Sequence, residues 1–203
     1  MKKEIALSEH FDYGKLIRFT LPSIAMMIFT SIYGVVDGLF VSNIVGKAEF
    51  TAVNFIMPVL MITGSVGFMF GAGGSALVSK TLGEGKREKA NSMFSLLVYV
   101  SAGLGVVLAV AGFVLMPVIA AALGADGELL ENCVIYGRIV VSAMPMFMLQ
   151  MEFQSLFITA EKPKLGLAVT IASGVLNMIL DALFMWVFNW GIAGAALATA
   201  LSQ

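Results

Sequence analysis

Five long apolar runs fix the solvent in which this chain folds. They lie at about residues 16–43, 52–79, 91–122, 132–157 and 165–188, and a sixth runs from about 192 to the last residue, 203. Roughly 20 helical residues cross a hydrocarbon core of about 30 Å. Inside lipid the backbone has no water to bond with, so each run must satisfy its own N–H and C=O groups as a helix. Composition agrees: 59% of the residues are apolar before glycine is counted, 12% are charged, and the mean hydropathy is +0.95, against about 25% charged in a soluble domain. An all-α membrane protein is expected, a bundle of about six transmembrane helices with no room for a second soluble domain. The final run, IAGAALATALSQ, rises only roughly 18 Å at 1.5 Å per residue. It reads as a truncated helix, and the chain as a piece of a longer protein.

The net charge of −1 says less than the placement of the basic residues. Lys2, Lys3, Lys15 and Arg18 precede or open the first run, Lys80, Lys86, Arg87 and Lys89 follow the second, and Lys162 and Lys164 follow the fourth; the other connections hold only Lys47. Basic residues of short loops stay on the cytoplasmic side. A multi-pass protein of the cell membrane with a cytoplasmic N-terminus is therefore expected, residues 1–15 forming a cytoplasmic segment and odd-numbered helices running outward. The opening MKKEIALSEHFDYGK has no apolar core, so it does not read as a cleavable signal peptide. No basic patch points to nucleic acid. A lone cysteine, Cys133, excludes an intrachain disulfide and a cysteine-based metal cluster, and His10, in the polar N-terminal segment, has no second ligand nearby.

Pro22, Pro58, Pro117 and Pro145 all fall within the runs or at their ends, where neighbouring helices can satisfy the carbonyl that each proline leaves free. Each is a candidate kink, static or hinged. Gly64, Gly67, Gly71, Gly73 and Gly74 line the second run, and small residues in a membrane helix ordinarily serve close helix contact.

Ionisable groups inside hydrocarbon are costly and mark functional sites by default. Four stand in the runs: Asp37, Arg138, Glu152 and Asp181. At the helical rise, Asp37 lies about 9 Å and Asp181 about 12 Å below the outer ends of their helices, Tyr136 and Arg138 about 8 and 10 Å, and Thr199 about 10 Å. Asn177 stacks on the face of Asp181 at i and i+4. These groups share one layer in the outer half of the membrane, rich in the oxygen donors that a small hard cation accepts and in paired carboxylates that can take up a proton. The structural alternative is an ion pair from Arg138 to Asp37 or Asp181 that only fixes packing. Glu152 lies deeper, toward the cytoplasmic end, where contact with substrate or solvent is expected. The 14 methionines and 15 phenylalanines suit adaptable apolar binding surfaces, though lipid contact and interhelical packing account for most of them.

The first run, with LPSIAMMIFTSIYGVVDGLFVSNIVG, and the glycine-rich FGAGGSALVSKTLGEGKREKA that follows resemble the N-terminal half of the multidrug and toxin extrusion (MATE) family. The ordered set Asp37, Tyr136, Asn177, Asp181 and Thr199 is similar in type and helix position to the cation-site residues of that family. The resemblance implies one lobe of a two-lobe, twelve-helix antiporter that exports drugs or other amphipathic or cationic organic compounds in exchange for sodium or protons. It implies no enzymatic activity and no cofactor beyond the coupling ion. The expected partners are the lipid bilayer, a small organic substrate and a C-terminal lobe absent from this sequence, and Pro22 matches a first-helix proline at which some members bend. A flippase for lipid-linked oligosaccharides, of the same broad superfamily, and an inactive half are the competing readings. An intramembrane aspartyl protease would need a GxGD motif, whereas the aspartates here sit in YGVVDG and MILDAL.

Overall fold

The computed structural model describes residues 12–203; His10, Lys2 and Lys3 lie outside the described residues. Among the described residues seven helices follow one another: α1 (Tyr13–Phe40), α2 (Lys47–Gly83), α3 (Arg87–Ala122), α4 (Gly127–Ser142), α5 (Met144–Thr159), α6 (Pro163–Asp181) and α7 (Gly191–Ser202). Two of them end in π turns, Val41–Val45 after α1 and Ala182–Val187 after α6. Asp12 caps α1, its Oδ1 accepting from the Lys15 N–H at 2.7 Å, and so satisfies one of the donors that every helix start leaves free. The α2–α3 connection turns at Gly85, whose φ of +78° suits a residue without Cβ. Among the described residues four helices, α1 with its π turn, α2, α3 and α6 with its π turn, are long and apolar enough to cross a membrane.

A fifth candidate crossing, by length and composition, is broken. The fourth apolar run divides at Ala143 into α4 and α5, which meet at a bend of 56°. Pro145, in the first turn of α5, lacks the N–H that would continue the helix and disfavours helical backbone before it. Of the four candidate kinks, this proline coincides with a break; Pro22, Pro58 and Pro117 lie inside continuous helices.

Close approach of α2, α3 and α5 makes the centre of the bundle. The α2 face of Gly64, Gly67, Gly71 and Gly74 is buried, and a Cβ on Gly67 would stand 2.7 Å from the Cα of Met148, on Gly71 3.0 Å from that of Glu152. From the other side, a Cβ on Gly105 of α3 would stand 2.6 Å from the Cα of Pro145. Backbone thus packs on backbone, the arrangement that lets helices associate where lipid offers no hydrophobic drive. Met116, Met144, Met148 and Met185 fill the remaining core, so part of the methionine content is interhelical packing, as its adaptable shape allows. Beyond α6, Phe184, Phe188 and Trp190 stack with centroids 5.1–6.3 Å apart, the aromatic pattern of a membrane interface.

α1 stands apart from that core. Met26 is its one buried residue, and it leans mainly on α6, where a Cβ on Gly174 would meet the Phe29 ring at 2.6 Å. This approach determines the site, because Tyr33 and Asp37 of α1 and Asn177 and Asp181 of α6 lie on the two faces it presses together.

Candidate functional site

Asp37 and Asp181 lie close enough for each carboxyl to feel the charge of the other. Each carboxylate can only accept, so neither satisfies the other unless a proton or cation lies between them. Asp181 is fully buried, and neither of its oxygens has a hydrogen-bond partner; Asp37 Oδ1 and Asn177 Oδ1 are likewise buried and unpartnered. A buried oxygen without a donor costs on the order of 1–3 kcal/mol, and a charged one more. Four such oxygens on two adjoining helices form a cradle of hydrogen-bond acceptors.

Tyr136 and Thr199 stand at the cradle from α4 and α7, lining one cavity with Asp37 and Asn177. Thr199 Oγ1 donates to the Ala195 carbonyl at 3.0 Å, which turns the lone pairs of its oxygen toward the site. Asp37, Tyr136, Asn177 and Thr199 also line a cavity of about 340 Å³ shared with Met57, Met61, Phe147 and Met151. Four helices, α1, α4, α6 and α7, thus bring the five expected residues to one region. Among the described residues, no three His, Cys, Asp or Glu side chains gather as a transition-metal site would require.

Arg138 is placed elsewhere. Its Nε donates to the Phe113 carbonyl at 3.1 Å, and its guanidinium lies 5.0 Å from the centroid of the Phe113 ring. It faces α3, and among the described residues no ion pair joins it to Asp37 or Asp181. The expectation of a packing ion pair therefore fails: two residues of separation from Tyr136 turn Arg138 away from the cradle. Glu152 also differs from expectation. It is completely buried at the α2–α5 contact, with both oxygens unpartnered, whereas its neighbour Met151 reaches the cavity. It touches neither solvent nor the substrate-sized space. Cys133 is buried, its Sγ 3.8 Å from the Ala52 carbonyl.

Tyr33 is the residue that the sequence reading overlooked. It lines the same cavity and stands one turn before Asp37, an i, i+4 spacing that carried the signal. A second regularity is the placement of the π turns: Asp181 immediately precedes one, and Asp37 lies four residues before the other. Such turns recur at functional sites because they shift the backbone bonding register.

The MatE family model matches residues 22–183. The multidrug export protein MepA of Staphylococcus aureus (strain MRSA252) is 27% identical over 191 residues, which are 94% of this chain and 42% of that protein. MepA of Staphylococcus saprophyticus is 27% identical over 188 residues, again 42% of its length. A solved MATE structure in complex with MaL6 superposes with a TM-score of 0.87 at 24% identity, covering 92% of this chain and 41% of that one. The chain thus spans less than half the length of the relatives it matches, and the solved structure carries the same fold of one lobe. With the family model covering most of its length, the chain belongs to the multidrug and toxin extrusion family of membrane transporters.

Proposed function

We propose that this chain acts as the N-terminal lobe of a sodium- or proton-coupled antiporter that exports amphipathic or cationic organic compounds across the cell membrane, with its N-terminus in the cytoplasm. The observation that carries this reading is the convergence of four unpartnered buried oxygens from Asp37, Asn177 and Asp181. Drug export is supported by the MepA relatives, which are named as multidrug export proteins. In the proposed cycle, a proton bridging the two carboxyls, or a sodium ion held by these oxygens with Thr199 and Tyr136, relieves the mismatch between the acceptor oxygens that α1 and α6 press together. An ion drives a conformational change only through different affinities for the two states. The weakly anchored α1, with Pro22 in its interior, is the element free to respond, and Pro22 is the proposed hinge. The adjoining cavity, with its methionines and aromatic rings, receives the apolar part of the substrate, and a second lobe supplies the facing wall, as in transporters built from paired repeats.

The test is efflux of a fluorescent organic cation under an imposed ion gradient by the complete two-lobed protein. Asp37→Asn and Asp181→Asn should each abolish ion-driven efflux while protein levels by immunoblot stay near wild type. Burying those charges was a cost, and the amides remove it. Normal efflux by the Asp181 variant, or loss of both proteins from the membrane, would make the aspartates structural.

A further inference from the structure

Asp37 borders two spaces. One is the cavity described above; the other is a groove of about 310 Å³ between α1 and α2, lined by Gly34, Gly38, Ser42, Phe50 and Asn54. Gly34, Asp37 and Met57 belong to both. Asn54 and Ser42 touch only the groove, and Met61 only the cavity.

The polar side chains of the groove are arranged as acceptors. Asn54 Nδ2 donates to the Phe50 carbonyl of its own helix at 2.8 Å, which ties down the amide nitrogen and leaves Oδ1 for the groove. Ser42 Oγ donates to the Leu39 carbonyl at 3.2 Å and accepts from Asn43 at 3.3 Å, keeping a lone pair free. Helical side chains lean toward the N-terminus of their own helix. In this antiparallel pair, with Gly38 beside the Phe50 ring at 3.5 Å, Asn54 leans outward toward the level of Asp37, and Asp37 leans inward toward Asn54. Gly34 and Gly38 place no side chain between them, and a Cβ on Gly34 would have nothing within 4 Å. The rest of the lining, Val35, Leu39, Phe50, Val53 and Met57, is apolar, so the acceptor oxygens of Ser42, Asn54 and Asp37 are the footholds that replace part of the hydration shell of a small cation.

We propose that the groove between α1 and α2 is a separate access path for the coupling cation, leading past Ser42 and Asn54 to Asp37 without crossing the substrate cavity. The proposal rests on the cation-coupled reading of Asp37. Its consequence is that an ion reaches Asp37 while an organic compound fills the space beside Met61 and Tyr136.

The experiment reads access directly, whatever Asp37 couples. Asp37→Cys is introduced into the chain in membrane vesicles and labelled with the permanently charged 2-(trimethylammonium)ethyl methanethiosulfonate; the native Cys133 is fully buried. Combining it with Asn54→Phe, which fills the groove, should slow labelling at least about tenfold more than combining it with Met61→Phe, which fills the cavity, because a cation loses its polar partners along an apolar path. Any smaller difference, or a greater effect of Met61→Phe, overturns the separate path. Should Asp37→Cys fail to fold, Gly34→Cys gives the same readout with Asp37 intact, since Gly34 borders both spaces and a Cβ there meets nothing within 4 Å. Failure of coupling itself would show instead as normal efflux by Asp37→Asn with this labelling pattern unchanged.

Discussion

Replacing Gly67 by alanine tests whether the bundle is held by backbone contact between α2 and α5. The new Cβ would stand 2.7 Å from Met148 Cα and 2.9 Å from Met148 O. Neither atom is the movable end of a side chain, so the helices must part by about 0.7 Å to regain ordinary contact. A gap of that size forfeits roughly a quarter to a half of the attraction of every atom pair along the seam, and overpacking of a tight contact costs about 1–3 kcal/mol. Alanine also gains up to about 1 kcal/mol over glycine in a helix interior, which would blur a single measurement. Gly73 supplies the control, because it lies six residues along the same helix and a Cβ there meets nothing within 4 Å. The difference between Gly67→Ala and Gly73→Ala removes the propensity gain and leaves the contact, so Gly67→Ala should be the less stable by about 1–3 kcal/mol. The assay is the midpoint of unfolding in a detergent–SDS titration followed by helical circular dichroism. Equal midpoints for the two variants would refute backbone packing as the source of cohesion. Gly105→Ala, pressing on Pro145 from the opposite side of α5, should make the double variant with Gly67→Ala worse than the sum of the two, since α5 cannot retreat from both.

Three further outcomes are expected. Cysteine placed at Asp126 should react with an impermeant thiol reagent from outside the cell and cysteine placed at Glu84 should not, with the reverse pattern inverting the proposed orientation. Cells expressing residues 1–203 alone should show no efflux of a fluorescent cation, and supplying a second lobe should restore it; efflux by the single lobe would point to a working homodimer. Glu152→Gln in the complete protein should leave ion-driven efflux within about threefold of wild type and raise the SDS midpoint, because it removes an uncompensated buried carboxylate. Loss of transport there would make Glu152 part of the machinery.

The gathering of Asp37, Tyr136, Asn177, Asp181 and Thr199 was legible because helical rise converts sequence position into depth, and five polar groups at one depth in lipid have few reasons to be there. Depth gives no azimuth. Arg138 shared the layer yet faces Phe113, which nothing short of knowing the neighbours of α4 could have told. Glu152 was likewise placed by depth, while the glycine face that buries it lies on another helix. The break at Ala143 was only partly readable, since Pro145 was one of four equivalent candidates and Pro22, Pro58 and Pro117 sit in helices that run on through them. The π turns left no trace, because a shift of bonding register does not disturb the pattern of a run that is apolar on every side. Tyr33 could have been found from its spacing to Asp37 alone.

The lengths of α2 and α3 set how far this lobe reaches. At 37 and 36 residues, each rises about 55 Å, while a bilayer with its headgroups is about 40–45 Å thick and a tilt of about 20° shortens the projection by only a few ångströms. Roughly 10 Å of helical hairpin must therefore stand clear of the lipid. At the end that joins the two helices, Lys80, Arg87 and Lys89 flank the turn around Gly85, and because charged side chains are costly in hydrocarbon that turn lies outside it. The protein thereby presents a rigid, membrane-distal handle far from Asp37 and Asp181, which an antibody fragment can grasp without touching either.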